Sequence, residues 1–229
     1  MKLTFLCAGN TFFQNPSDKI LMSKIRIFSY LPNPRVWKAV IAGKLCNVEV
    51  EVIGDKPKNL PNWLWDYDAR ILDEEEKQSS PHKLEGKRGF TGDLFKTSEF
   101  LNQHPFGTVP AAFVGENKIG VFESNSIMRA VTRMSSSTEL YGGKDSSLSS
   151  RIDSFLDANL VFSREHQVYI LSIENLNSYT YERMKSAYEF YLDGIELSLS
   201  TKKYIAGNKL SLADISFAVS YTHLTLPTT

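Results

Sequence analysis

Cysteine is scarce in this chain: Cys7 and Cys46 are the only two among 229 residues. Two thiols this far apart supply no disulfide framework and no metal-ligand spacing, so no metal is expected and a reducing cytosol is the default location. Charge of one sign is also missing, with 26 Lys+Arg against 26 Asp+Glu. A balanced chain has no electrostatic reason to seek nucleic acid or an anionic membrane. Long hydrophobic runs are absent too, since crossing a bilayer takes roughly 20 apolar residues and the longest stretches here are far shorter. Small molecules and proteins are left as partners.

What is present is apolar material for a sizeable core, 42% of the residues, in a chain long enough for two modest domains. Residues 1–23 are expected to stand outside the fold. Lys2 before the apolar run Leu3 to Ala8 reads weakly as a signal peptide, but the run is short and no small-residue cleavage site follows cleanly. Met22-Ser23-Lys24 leads straight into the first convincing strand and reads as the true start.

Lys24 to Tyr30, KIRIFSY, sets Ile25 and Ile27 between polar residues and predicts a buried strand. Asn33 and Pro34 signal a helix start, because an Asn side chain caps free N–H groups and proline fits the first turn. The helix is expected to run to about Leu45, with Val36, Val40, Ile41 and Leu45 on one face and Asn47 ending it. Val48 to Ile53, VEVEVI, alternates as a half-buried strand does. The resulting βαβ unit, with its right-handed crossover, makes a parallel pair: a thioredoxin-like opening.

Residues 54–95 break this regularity and read as an insertion, with a short helix expected at NWLWDYDAR. A short helix over Ser98 to Gln103, a strand through Pro110 to Val114, a turn at Glu116 to Lys118 and a strand from Ile119 to Phe122 follow. Ser124 can cap the next helix, and the first domain, 24–133, closes there. Residues 134–150, rich in Ser and Gly, read as a linker. From 151 to 218 the apolar spacing is helical throughout, and Ser211 with Asp214 forms a capping box.

Three segments resemble the glutathione-transferase superfamily over Lys24 to about Ala218. HPFGTVPAAF at 104–113 is similar to the superfamily's N-P-x-G-x-V-P segment, FESNSIMRAV at 122–131 to its E-S-x-A-I pattern, and the Ser211 to Asp214 box to its G-x-x-x-S/T-x-A-D folding element. The resemblance implies the glutathione-transferase fold: an α/β thioredoxin-like N-terminal domain plus an all-α C-terminal domain. It also implies a cis Val109–Pro110 bond, with Val109 pairing glutathione through its backbone and Pro110 shaping the turn. Glu123 would take the glutathione amine and Ser124 a carboxylate at the helix start, with Thr108 and Asn125 beside them.

Thiol activation is less legible. By the superfamily's serine-based pattern the hydroxyl would fall at Leu31, which cannot donate a hydrogen bond. Tyr30, one position earlier, and Asn33 are the catalytic candidates, through a phenol and through an amide or the helix start it caps. YLPNPRVWKAVIAG with FESNSI looks most like the transferase-like domain of the gamma subunit of translation elongation factor one, which implies a non-catalytic docking module and elongation-factor partners as the alternative. The resemblance otherwise implies a cytoplasmic, homodimeric transferase joining glutathione, as co-substrate, to a small hydrophobic electrophile. Phe162, Arg164 and Tyr169 are candidates for that second pocket by location only. Residues 219–229, VSYTHLTLPTT, resemble translated read-through, so the helical domain is expected to be truncated, its last helix interrupted by Thr-rich sequence and Pro227.

Overall fold

The computed structural model describes residues 24–87 and 89–225, so the expected N-terminal extension and residues 226–229 lie outside the described residues. The chain separates into two units between Ser135 and Ser136.

The first unit is built on a four-stranded sheet of β1 (Lys24–Tyr30), β2 (Glu49–Asp55), β7 (Ala111–Val114) and β8 (Ile119–Phe122), in the order β2-β1-β7-β8. β1 and β2 run parallel; β7 is antiparallel to both β1 and β8. Between the parallel strands lies α1 (Pro34–Cys46), started by the Asn33 side chain, which accepts from Arg35 N–H, and ended by Asn47 in the left-handed region at φ 57°. That is the expected βαβ unit. Its buried face is Val36, Ala39, Ala42 and Gly43, however, while Ile41 and Leu45 are exposed beside Trp37. Small residues let the helix lie close: a Cβ on Gly43 would meet Val50 Cγ2 at 2.5 Å. α1 packs on α4 (Ser124–Met134), which buries Ile127, Met128 and Val131.

Residues 54–95 are neither irregular nor helical at their tryptophans. They form a second sheet of β3 (Trp63–Trp65), β4 (Arg70–Ile71), β5 (Lys83–Glu85) and β6 (Asp93–Lys96), ordered β4-β3-β6-β5, with a 3-10 turn at Pro57–Asn62 and α2 (Glu74–Ser79) capped by Asp73. The reason is burial. A strand sets Trp63 and Trp65 on one face, where they join Phe28, Leu60, Leu94, Phe113 and Phe100 of α3 (Ser98–Gln103) in one cluster. Trp65 is edge-on to Phe28, Phe90 and Phe100, and its Nε1 donates to the Leu60 carbonyl at 3.1 Å. Each such ring contributes about 2–3 kcal/mol on leaving water.

The second unit is helical: α5 (Ser146–Leu171), α6 (Ser178–Leu199) and α7 (Leu212–Thr225). The expected linker is largely structured, because Glu139–Tyr141 form a 3-10 turn and Asp145 caps α5 by accepting from Ser147 and Leu148 N–H. α7 runs on to Thr225, so the first part of the expected tail is helical, while Pro227 lies outside the described residues. Core contacts sustain it: Val219 is buried, Ser220 accepts from Asn159 at 3.1 Å, and Tyr221 lies beside Phe162 and Phe217. Asp214 holds its start, accepting from Ile205 N–H and from both the N–H and Oγ of Ser211, each at 2.8 Å. Among the described residues no helix is long and apolar enough to cross a membrane.

Candidate functional site

Strand register brings the first unit's candidate residues to one end of the sheet. Ala111 pairs with Phe122 at the last bridge between β7 and β8, so Val109 and Pro110, which enter β7, and Glu123 and Ser124, which follow β8, lie at the same end of the sheet. Phe28 pairs with Ala111, so Tyr30, two residues further along β1, ends that strand at the same end of the sheet. Three segments far apart in sequence therefore meet: the end of β1, the entry to β7, and the start of α4.

The Val109–Pro110 bond is cis, as is Leu31–Pro32. Thr108 and Val109 are half-buried and Pro110 is buried. The loop before them needs Gly107, which sits at φ +56°, where a Cβ would come within 3.0 Å of Leu101 Cδ2 and 3.3 Å of Lys96 Nζ. Lys96 donates from Nζ to the Gly107 carbonyl at 2.7 Å, tying the second sheet to this loop.

Across from it, Glu123 rather than Ser124 is the cap residue of α4, at φ 65° and ψ 125°. A non-glycine residue held there costs about 1–3 kcal/mol, and such strain collects at ligand clamps. Glu123 is exposed; Ser124 is the first helical residue and is buried. The opening N–H groups of an α-helix lack intrahelical partners and make a positive end that favours an anion. An acid outside and a helix start inside form a polarised pair, able to take an ammonium and a carboxylate of one ligand.

Two candidates do not reach this site. Asn33 is fully buried, its Oδ1 accepting from Arg35 N–H at 3.0 Å and its Nδ2 donating to Ser29 Oγ at 2.9 Å. A side chain so enclosed caps α1 and positions the β1–α1 turn, and its amide has no exposed surface to offer a thiol. Asn125 is 4% exposed, and its Oδ1 accepts from Lys38 Nζ at 3.1 Å in the packing of α1 on α4. Lys38 went unnoticed in the sequence because lysine is a surface residue by default. Burial, and then Arg35, push its ammonium down to about 7.

Tyr30 remains. It is half-buried at the end of β1 against the tryptophan cluster, with Val109 packed on the same cluster. Burial raises its phenol above the ordinary 10.0, so it stays protonated and can donate a hydrogen bond. In the second unit, Phe162 is a core residue, ringed by Tyr188, Tyr191, Phe217 and Tyr221, and does not line a pocket for a second substrate. Arg164 is exposed and bonds Gln167, and Tyr169 is half-buried, its carbonyl accepting from Ser172.

No family model matches the chain. A glutathione S-transferase-like protein LUC7 from Fusarium sp is 25% identical over 199 residues, covering 85% of this chain and 75% of that protein. Elongation factor 1-gamma of Mus musculus is 27% identical over 193 residues, covering 83% of this chain; the chain spans only 36% of that relative's length. A glutathione S-transferase from Methylobacillus flagellatus, solved with GSH bound, superposes with a TM-score of 0.62 at 12% identity, over 89% of this chain and 84% of that one. The chain therefore has the glutathione-transferase fold, a thioredoxin-like α/β unit followed by a helical one, and is similar in sequence to that superfamily and to elongation factor 1-gamma.

Proposed function

We propose that the first unit binds glutathione and that the chain acts as a glutathione transferase, conjugating or reducing small electrophiles. The carrying observation is that Val109 and Pro110, entering β7, and Glu123 and Ser124, passing from β8 into α4, lie at one end of the sheet. In this reading the Val109 backbone pairs with the peptide-like middle of the ligand as an added strand would. Thr108 lies alongside. Ser124 and the helix start hold the γ-glutamyl carboxylate, and Glu123 takes its ammonium. Tyr30 donates its phenol hydrogen to the sulfur, which favours the thiolate. The bound GSH of the Methylobacillus transferase supports the same ligand here. A cytoplasmic homodimer is the assembly this reading expects.

A second reading has its own observation. Position 31 is leucine, and the chain aligns with elongation factor 1-gamma over 83% of its length. A protein docking module with elongation-factor partners needs the fold and no thiol chemistry.

Calorimetry with glutathione, followed in the same sample by turnover of a generic aromatic electrophile, separates the readings. Binding with turnover supports the transferase; binding alone supports a glutathione-binding relative without chemistry; neither, in folded protein, supports the docking module.

A further inference from the structure

The loop of residues 104–110 has a second tether besides Lys96. The Thr108 backbone N–H donates to His104 Nε2 at 3.2 Å, and Thr108 Oγ1 lies 3.2 Å from the same nitrogen. A backbone N–H can only donate, so Nε2 is bare and the neutral ring keeps its proton on Nδ1. That Nδ1 is buried without a hydrogen-bond partner among the described residues. His104 is 1% exposed and lies flat on Phe122, ring centroids 4.5 Å apart and planes 3° apart. An enclosed histidine with one nitrogen spent on the loop and the other unsatisfied is costly to keep, and among the described residues Thr108 is the one hydrogen-bond partner of its ring.

From these contacts we infer that His104 is the positioning residue of the Thr108-Val109-Pro110 segment, acting as the neutral Nδ1–H tautomer, and that protonating its ring frees the segment and weakens glutathione binding. The second half rests on the reading that this segment binds glutathione.

The chemistry of release is local. A proton on Nε2 would face the Thr108 N–H donor to donor, so the tether is lost on protonation. The charge would also be buried, with no acid among the described residues that contacts the ring. Against the ring stand Phe100 from α3, Phe122 from β8, Phe106 and Thr108 from its own turn, and from β6 the cation of Lys96. Burial, the largest cause, together with repulsion from Lys96 outweighs the opposing backbone hydrogen bond with Thr108 and holds the imidazole below its ordinary 6.5. A released loop exposes the ring and restores that value. As pH falls below 6.5 protons bind the released form first, so acid favours release and neutral pH favours the tethered loop.

The test uses the full chain and its His104→Gln variant, whose side-chain oxygen can accept from Thr108 N–H but does not titrate. Ring 15N shifts and the Thr108 amide signal are followed in the free protein from about pH 8 to about pH 5, and glutathione affinity is measured by calorimetry over the same range. The carboxylates and ammonium of glutathione hold their charge in most of this window. The expected results are an Nδ1–H ring at the alkaline end, loss of Thr108 amide protection in acid, and a Kd that rises about tenfold in the wild type and stays flat in the variant. An Nε2–H tautomer, or a parallel loss of affinity in His104→Gln, overturns the inference. Should the wild type bind no glutathione at any pH, the functional reading and the affinity half of the inference both fall. The positioning role is then decided by the Thr108 amide alone: acid loss confined to the wild type upholds it, and identical behaviour in both proteins overturns it.

Discussion

Lys38 on α1 donates from Nζ to Asn125 Oδ1 on α4 across 3.1 Å, with only 3% of the lysine exposed. The bond fixes how the first helix lies against the helix whose start carries Glu123 and Ser124. It also places an ammonium where its solvation is lost, which is why its proton is held so weakly.

For Lys38 the sign is definite. The folded value is lowered from 10.5 to about 7, so between about 7 and 10.5 the unfolded chain binds the proton and the folded chain does not. Stability from this group is fully present above 10.5 and is lost as pH falls to about 7. Urea unfolding should show stability rising with pH between these values, by up to about 1.4 kcal/mol per unit. In Lys38→Met that part of the slope disappears; an unchanged slope would show that Lys38 keeps its charge when buried.

Ser124→Ala removes a hydroxyl at the first position of α4 without touching the core below it. Glutathione should bind about tenfold more weakly, since a hydrogen bond to a charged group contributes about 1.5 kcal/mol. Calorimetry decides this, and an unchanged Kd would remove Ser124 from the ligand contacts.

Tyr30→Phe tests the phenol. Turnover should fall about tenfold to a hundredfold with glutathione affinity little changed, because the hydroxyl acts on the thiolate formed at reaction. Equal activity in steady-state kinetics would assign thiol activation elsewhere.

Asp214→Asn tests the start of α7. The carboxylate accepts from Ile205 N–H and from two Ser211 donors, and the amide can keep only part of that set. Thermal unfolding should record a loss of about 1–3 kcal/mol, and glutathione binding by the first unit should be retained where the protein stays folded. Unaltered stability would mean the cap is dispensable.

Much of the scaffold was legible in local chemistry. The alternation in KIRIFSY and VEVEVI, Asn33 before Pro34, Asn47 in the left-handed turn and Asp214 near Ser211 each act through neighbours in sequence, and the elements formed where those signals lie. Residues whose environment comes from distant segments were not legible. NWLWDYDAR became a strand because Phe28, Leu94 and Phe100 offer its tryptophans a buried face. Asn33 and Asn125 read as ligand groups by position, yet Ser29 and Lys38 enclose them.

The candidate site divides the same way. Sequence by itself determined which segments hold it, because helix starts and turn residues obey short-range rules of hydrogen bonding and backbone sterics. Only the tertiary structure decided how they meet: pairing of β1, β7 and β8 set Tyr30, Val109 and Ser124 at one sheet end, and burial decided the rest. Burial turned Lys38 into a weak base and His104 into a loop tether, since desolvation and hydrogen-bond satisfaction depend on what surrounds a group, and the chain brings those surroundings from far along its length.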